Sequence, residues 1–110
     1  MLKAEFFVQG SADEPYRVTF TKSGANLGAY CTCPAGQNGM YCKHRFRILE
    51  GEATGLVSEN VDDILTVGSW LSGTDVAAAM DAVKTAERDH AEAKKLLSQA
   101  KKNLARAMGD

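Results

Sequence analysis

All three cysteines of the chain and one of its two histidines fall within fourteen consecutive residues. Cys31 and Cys33 form a Cys-x-Cys pair, Cys42 and His44 a Cys-x-His pair, and eight residues separate the two. Two close pairs of borderline-soft donors joined by a short loop are what a tetrahedral Zn²⁺ requires. Disulfides fit worse, because an odd cysteine count leaves one thiol over and Cys31 with Cys33 would close a very small, strained ring. The pattern predicts one structural zinc ion per chain, in a closed Cys₃His shell, and a reducing intracellular setting, cytoplasmic, nucleoid or nuclear. A catalytic zinc keeps a position for water and a nearby base. Four protein ligands and the absence of an HExxH-like helix or paired carboxylates argue against an enzyme.

The segments around this cluster read as a small α+β unit. Leu2, Ala4, Phe6 and Val8 alternate with Lys3, Glu5 and Phe7, the period of a half-buried strand. Gly10 to Pro15 supplies turn chemistry, and Tyr16, Val18 and Phe20 alternate with Arg17, Thr19 and Thr21 in a second strand. After a hairpin loop at Lys22–Asn26, a third strand would set Leu27, Ala29, Cys31 and Cys33 on one face. Pro34 ends that ladder, and Gly36, Asn38 and Gly39 make a flexible return to Cys42. A helix over 43–50 would start with Cys42 just outside it and His44 in its first turn, and Gly51 would stop it. The expected head is residues 1–51, a three-stranded antiparallel sheet and a helix in ββα order around the zinc. A unit this small has a thin core, which a bound metal offsets.

Residues 52–60 read as a polar linker, and 61–110 as a helical tail. Within the tail a short helix near 61–71 would be capped by Asn60 and put Val61, Ile64 and Leu65 on one face. Ser72-Gly73-Thr74-Asp75 is a break and a new cap. A long helix over 75–108 follows, free of Gly and Pro from Val76 to Ala107 and rich in strong helix formers. Its apolar positions keep a heptad: Val76, Val83, His90, Leu97 and Leu104 at one seam position, and Ala79, Ala86, Ala93, Ala100 and Ala107 at the other. Charge is sorted as well. Asp75, Asp81, Glu87, Asp89 and Glu92 dominate the first half, while Lys94, Lys95, Lys101, Lys102 and Arg106 fill the second without an acid.

Antiparallel pairing of two copies sets acid beside base and places each large seam residue against an alanine. Packing onto 61–71 of the same chain, or onto another partner, would cover the same seam, and the charge gradient also suits the helix dipole. His90 is a packing residue in any of these. The interface residues are therefore Val76, Ala79, Val83, Ala86, His90, Ala93, Leu97, Ala100 and Leu104.

With Cys-x-Cys, an eight-residue spacer and Cys-x-His in place between strands and a helix, residues 16–50 resemble the SWIM-type zinc fingers. The match extends to the Cys33-Pro34 step and the run Cys42-Lys43-His44. Arg45 departs from it, since the family commonly continues there with an apolar residue. The resemblance implies a ββα module, found in Mutator-like transposases, chromatin-remodelling enzymes and ubiquitin-pathway proteins, and credited with DNA binding and protein–protein interaction. Two functions follow. One is an adaptor that assembles with protein, including a second copy of itself, through the helical tail. The other is DNA binding through Arg17, Lys22, Lys43, Arg45 and Arg47, which could neutralise phosphates. The net charge of −1, made more negative by a Cys₃His zinc site, confines any such basic role to that patch. The opening Met1-Leu2-Lys3-Ala4-Glu5 lacks the apolar run of a signal peptide, and no segment approaches the ~20 apolar residues of a membrane span. Neither a membrane nor a small-molecule substrate is expected as partner.

Overall fold

The computed structural model describes residues 1–109. They form two units, Met1–Ala77 and a second that begins at Ala78. Three strands, β1 (Leu2–Val8), β2 (Tyr16–Ser23) and β3 (Asn26–Cys31), make an antiparallel sheet in the order β1-β2-β3. The register pairs Phe6 with Val18, Ala4 with Phe20, Phe20 with Ala29 and Val18 with Cys31. Alternation therefore collects Phe6, Val8, Val18, Phe20, Leu27 and Cys31 on one face, where all six are buried. Phe6 and Phe20 meet edge to face at 5.9 Å between centroids. The β2–β3 turn has only two residues, Gly24 and Ala25, shorter than the loop expected from composition. Its first central residue, Gly24, has φ +59°, the positive φ that a tight primed hairpin turn requires there.

Four helices follow: α1 (Pro34–Gln37), α2 (Lys43–Leu49), α3 (Asp63–Ser69) and α4 (Asp75–Gly109). α2 buries Ile48 and Leu49, and α3 buries Ile64 and Val67, which complete the core of the first unit. α2 closes with Gly51 at φ +89°, its N–H donating to Ile48 O (2.9 Å) and that of Glu52 to Arg47 O (2.9 Å). This is a Schellman ending, with glycine at the left-handed position.

Four expectations are corrected. β3 ends at Cys31, so Cys33 lies beyond the strand as the N-cap of α1. The return to Cys42 is not an open loop, because Pro34 at the first helical position nucleates the one-turn α1. On α3 the buried pair is Ile64 and Val67, whereas Val61 and Leu65 are exposed. Asn60 does not cap that helix through its side-chain oxygen; its Nδ2 donates to Glu5 O (2.7 Å) and Asp63 Oδ2 (3.2 Å) instead.

Residues 52–60, polar enough to read as a linker, run along the open edge of β1. The Gln9 N–H donates to Gly55 O (2.8 Å), the Val57 N–H to Phe7 O (2.9 Å) and the Phe7 N–H to Ser58 Oγ (3.1 Å). An exposed strand edge is thereby covered. α4 starts at the end of the first unit, where Thr74 Oγ1 accepts from the Ala77 N–H (3.2 Å), and runs uninterrupted to Gly109 as the second. Among the described residues no helix is long and apolar enough to cross a membrane.

Candidate metal centre

Each ligand is delivered by the end of an element. Cys31 closes β3, Cys33 caps α1, Cys42 caps α2 and His44 stands in the first turn of α2. Their donor atoms lie within 4.8 Å of one another. Cys33 Sγ and Cys42 Sγ are 3.4 Å apart, and His44 Nδ1 is 3.5 Å from Cys42 Sγ and 3.7 Å from Cys31 Sγ. A tetrahedral ion with Zn–S near 2.3 Å and Zn–N near 2.0 Å would set such edges at about 3.5–3.8 Å. The residues fit zinc. When bound, the ion would tie β3, α1 and α2 into one cross-link, a structural rather than a reactive role.

The surroundings favour the protonation state a metal needs at Cys42 and His44 and oppose it at Cys31. Cys31, Cys33 and Cys42 are each 5 % exposed or less. Burial pushes the Cys31 thiol up to about 12, so a metal must displace its proton and zinc uptake falls as pH falls. Burial also works against the Cys42 thiolate, yet its pKa lies below the ordinary value because the backbone amides of Arg45 and His44 and the neighbouring thiols favour the anion. Burial, followed by the charges of Lys43 and Arg47, lowers the pKa of His44 and keeps the imidazole neutral, its ligating form. The Gly36 N–H donates to Cys33 Sγ (3.3 Å). Gly36 must be glycine on steric grounds, since a Cβ there would stand 2.5 Å from Cys31 O.

The SWIM zinc finger family model matches residues 6–50. Residues 6–50 are a SWIM zinc finger. No curated protein and no solved structure matches the chain. The matched stretch begins earlier than the ligand spacing alone suggested, within β1, for a visible reason: Phe6 is fully buried against Phe20 and belongs to the core of the finger. It ends at Glu50, so the family does not describe α3 or α4.

Two residues of the SWIM finger escaped the sequence reading. Tyr16, on the inner face of β2, lies against the His44 ring at 5.1 Å between centroids. A Cβ at Gly10 would stand 2.5 Å from the Tyr16 ring and 3.3 Å from His44 Nε2. Tyr16 packs on the imidazole and Gly10 leaves room for both rings, an arrangement no periodicity announces because it joins distant parts of the chain.

Three of the five basic residues have partners within the chain. Arg17 lies on the outer face of β2, 3.6 Å from Glu5 across the β1–β2 pair. Lys22 Nζ donates to Gly24 O (2.6 Å) in the hairpin turn. The Arg45 guanidinium donates to Ala29 O (3.1 Å) and Met40 O (2.5 Å), tying α2 to β3 and the metal loop. Lys43 is exposed and Arg47 half-buried on α2. Along α4, Val76 and Val83 are half-buried, while Ala79, Ala86, His90, Ala93, Leu97, Ala100 and Leu104 are exposed.

Proposed function

We propose that the chain is a zinc-built interaction module, an adaptor rather than an enzyme, whose SWIM finger forms the head and whose α4 carries the assembly surface. The observation behind this reading is the exposed apolar seam of α4, with Leu97 56 % and Leu104 59 % exposed. Helices gain most of their stability in proteins from packing an apolar face. A second copy in antiparallel orientation is the partner whose chemistry fits best. It sets Val83 opposite Ala100, Leu97 opposite Ala86 and His90 opposite Ala93, so every layer joins one large and one small residue. It also brings Glu87 beside Lys94 of the other copy. A parallel pair would stack alanine on alanine at every second layer, where parallel dimers favour leucine.

Sedimentation of the zinc-loaded protein tests this. A dimer at micromolar concentration that persists in high salt, and becomes a monomer in Ala93→Glu, is expected. A monomer at 100 µM would contradict it.

DNA binding has narrower support, from Lys43 and Arg47 one turn apart on α2, since Arg17, Lys22 and Arg45 are held by Glu5 or by backbone carbonyls. Affinity for duplex DNA that falls steeply with salt and is lost in Lys43→Glu/Arg47→Glu would favour that reading over the adaptor.

A further inference from the structure

Against the metal centre opens a cleft of about 370 Å³, lined by Tyr16, Tyr41, Ser11 and Lys43 and by three of the four metal ligands, Cys33, Cys42 and His44. Ligation through Nδ1 leaves the single ring proton of a neutral imidazole on Nε2. Metal-bound histidines almost always donate that second N–H to a carboxylate, carbonyl or water. Among the described residues His44 Nε2 has no hydrogen-bond partner. It faces the gap that Gly10 leaves open, where a Cβ would come within 3.3 Å. The Lys43 side chain lines the same cleft and is also without a hydrogen bond or ion pair there. A donor aimed into a concave site, a cation at its rim and two aromatic rings on its walls describe a receptor for an anion carried on an apolar stem.

We propose that this cleft seats the carboxylate of an acidic segment on a partner protein, with His44 Nε2–H donating to it, Lys43 paired with it, and Tyr16 and Tyr41 flanking its side chain. A nucleic-acid phosphate has the same charge but fits less well. Arg17, Lys22 and Arg45, the cations that would follow a phosphate backbone, are each held by a partner within the chain. The proposal rests on zinc ligation by His44 Nδ1 and does not depend on what pairs with α4.

The test is an NMR titration of the zinc-loaded full chain with three probes: the blocked dipeptide acetyl-Phe-Glu-amide, its uncharged isostere acetyl-Phe-Gln-amide, and a short single-stranded DNA. The Glu probe should shift the His44 and Tyr41 ring resonances, and the Gln probe should bind about tenfold more weakly, as loss of a charge-assisted hydrogen bond gives. Lys43→Gln, an exposed substitution, should weaken the Glu probe by about two- to fivefold, the effect of one exposed ion pair. Equal binding of the Glu and Gln probes, unchanged binding in Lys43→Gln, or DNA moving the same resonances at lower concentration would overturn it. Native mass spectrometry of the same sample counts zinc, so failure of the metal premise is distinguishable from failure of the cleft.

Discussion

Arg45 shows how one side chain can be misread until its partners are known. From sequence it is a cation in a basic run and the one departure from the SWIM pattern near the ligands. In the structure its guanidinium fork spans two carbonyls, Ala29 O at the outer edge of β3 and Met40 O in the loop before Cys42. It therefore steadies the approach to Cys42 instead of offering charge to solvent. Arg45→Leu should lower the stability of the zinc-loaded protein by about 1 kcal/mol, because the half-buried Ala29 carbonyl loses a charged donor. Urea denaturation measures this, and a loss under ~0.5 kcal/mol would return Arg45 to the solvated face. Arg45→Lys should not restore the difference, since a compact ammonium lacks the planar fork. The ligands themselves, by contrast, were legible from spacing alone, because metal coordination constrains residue type and separation together.

At the scale of elements, β1, β2 and most of β3 were readable from alternation, and α4 from composition and its uninterrupted run. What was not readable depends on contacts between distant parts of the chain. α1 has four residues, too few to show a period, and only Pro34 and the cap at Cys33 define it. On α3, Val61, Ile64 and Leu65 were as plausible a face as Ile64 and Val67; packing of the helix on the core decides between them. The 52–60 segment is polar because its backbone does the binding, along an edge that hydropathy cannot reveal. Gly55 anchors that edge: its φ is +76°, and a Cβ would stand 3.0 Å from Gln9 O. Gly55→Ala should cost about 1–2 kcal/mol, the penalty of a left-handed L-residue. Hydrogen exchange should then speed up at the Gln9 and Val57 amides, whereas unchanged protection there would show that the segment is held by other contacts.

For the molecule as a whole, two physical strategies stand side by side. The first unit has a core of few large side chains, with Phe6, Phe20, Val18 and Val67 its largest fully buried ones, and its metal site ties the end of β3 to the starts of α1 and α2. The second is a single helix whose residues from Lys84 to Gly109 are all exposed. Such a helix has little to fold against within itself, which is why its seam is read as an assembly surface. The head depends on zinc in a different way, because apparent binding free energies of about 10–16 kcal/mol in zinc-finger peptides exceed the stability of a core this small. The most direct measurement is a zinc titration of the metal-free full chain, followed by its near-UV circular dichroism. The aromatic signal should rise to a sharp break at one zinc per chain and vanish again on chelation. A near-UV spectrum and thermal transition that are the same with and without zinc would contradict a metal-built head.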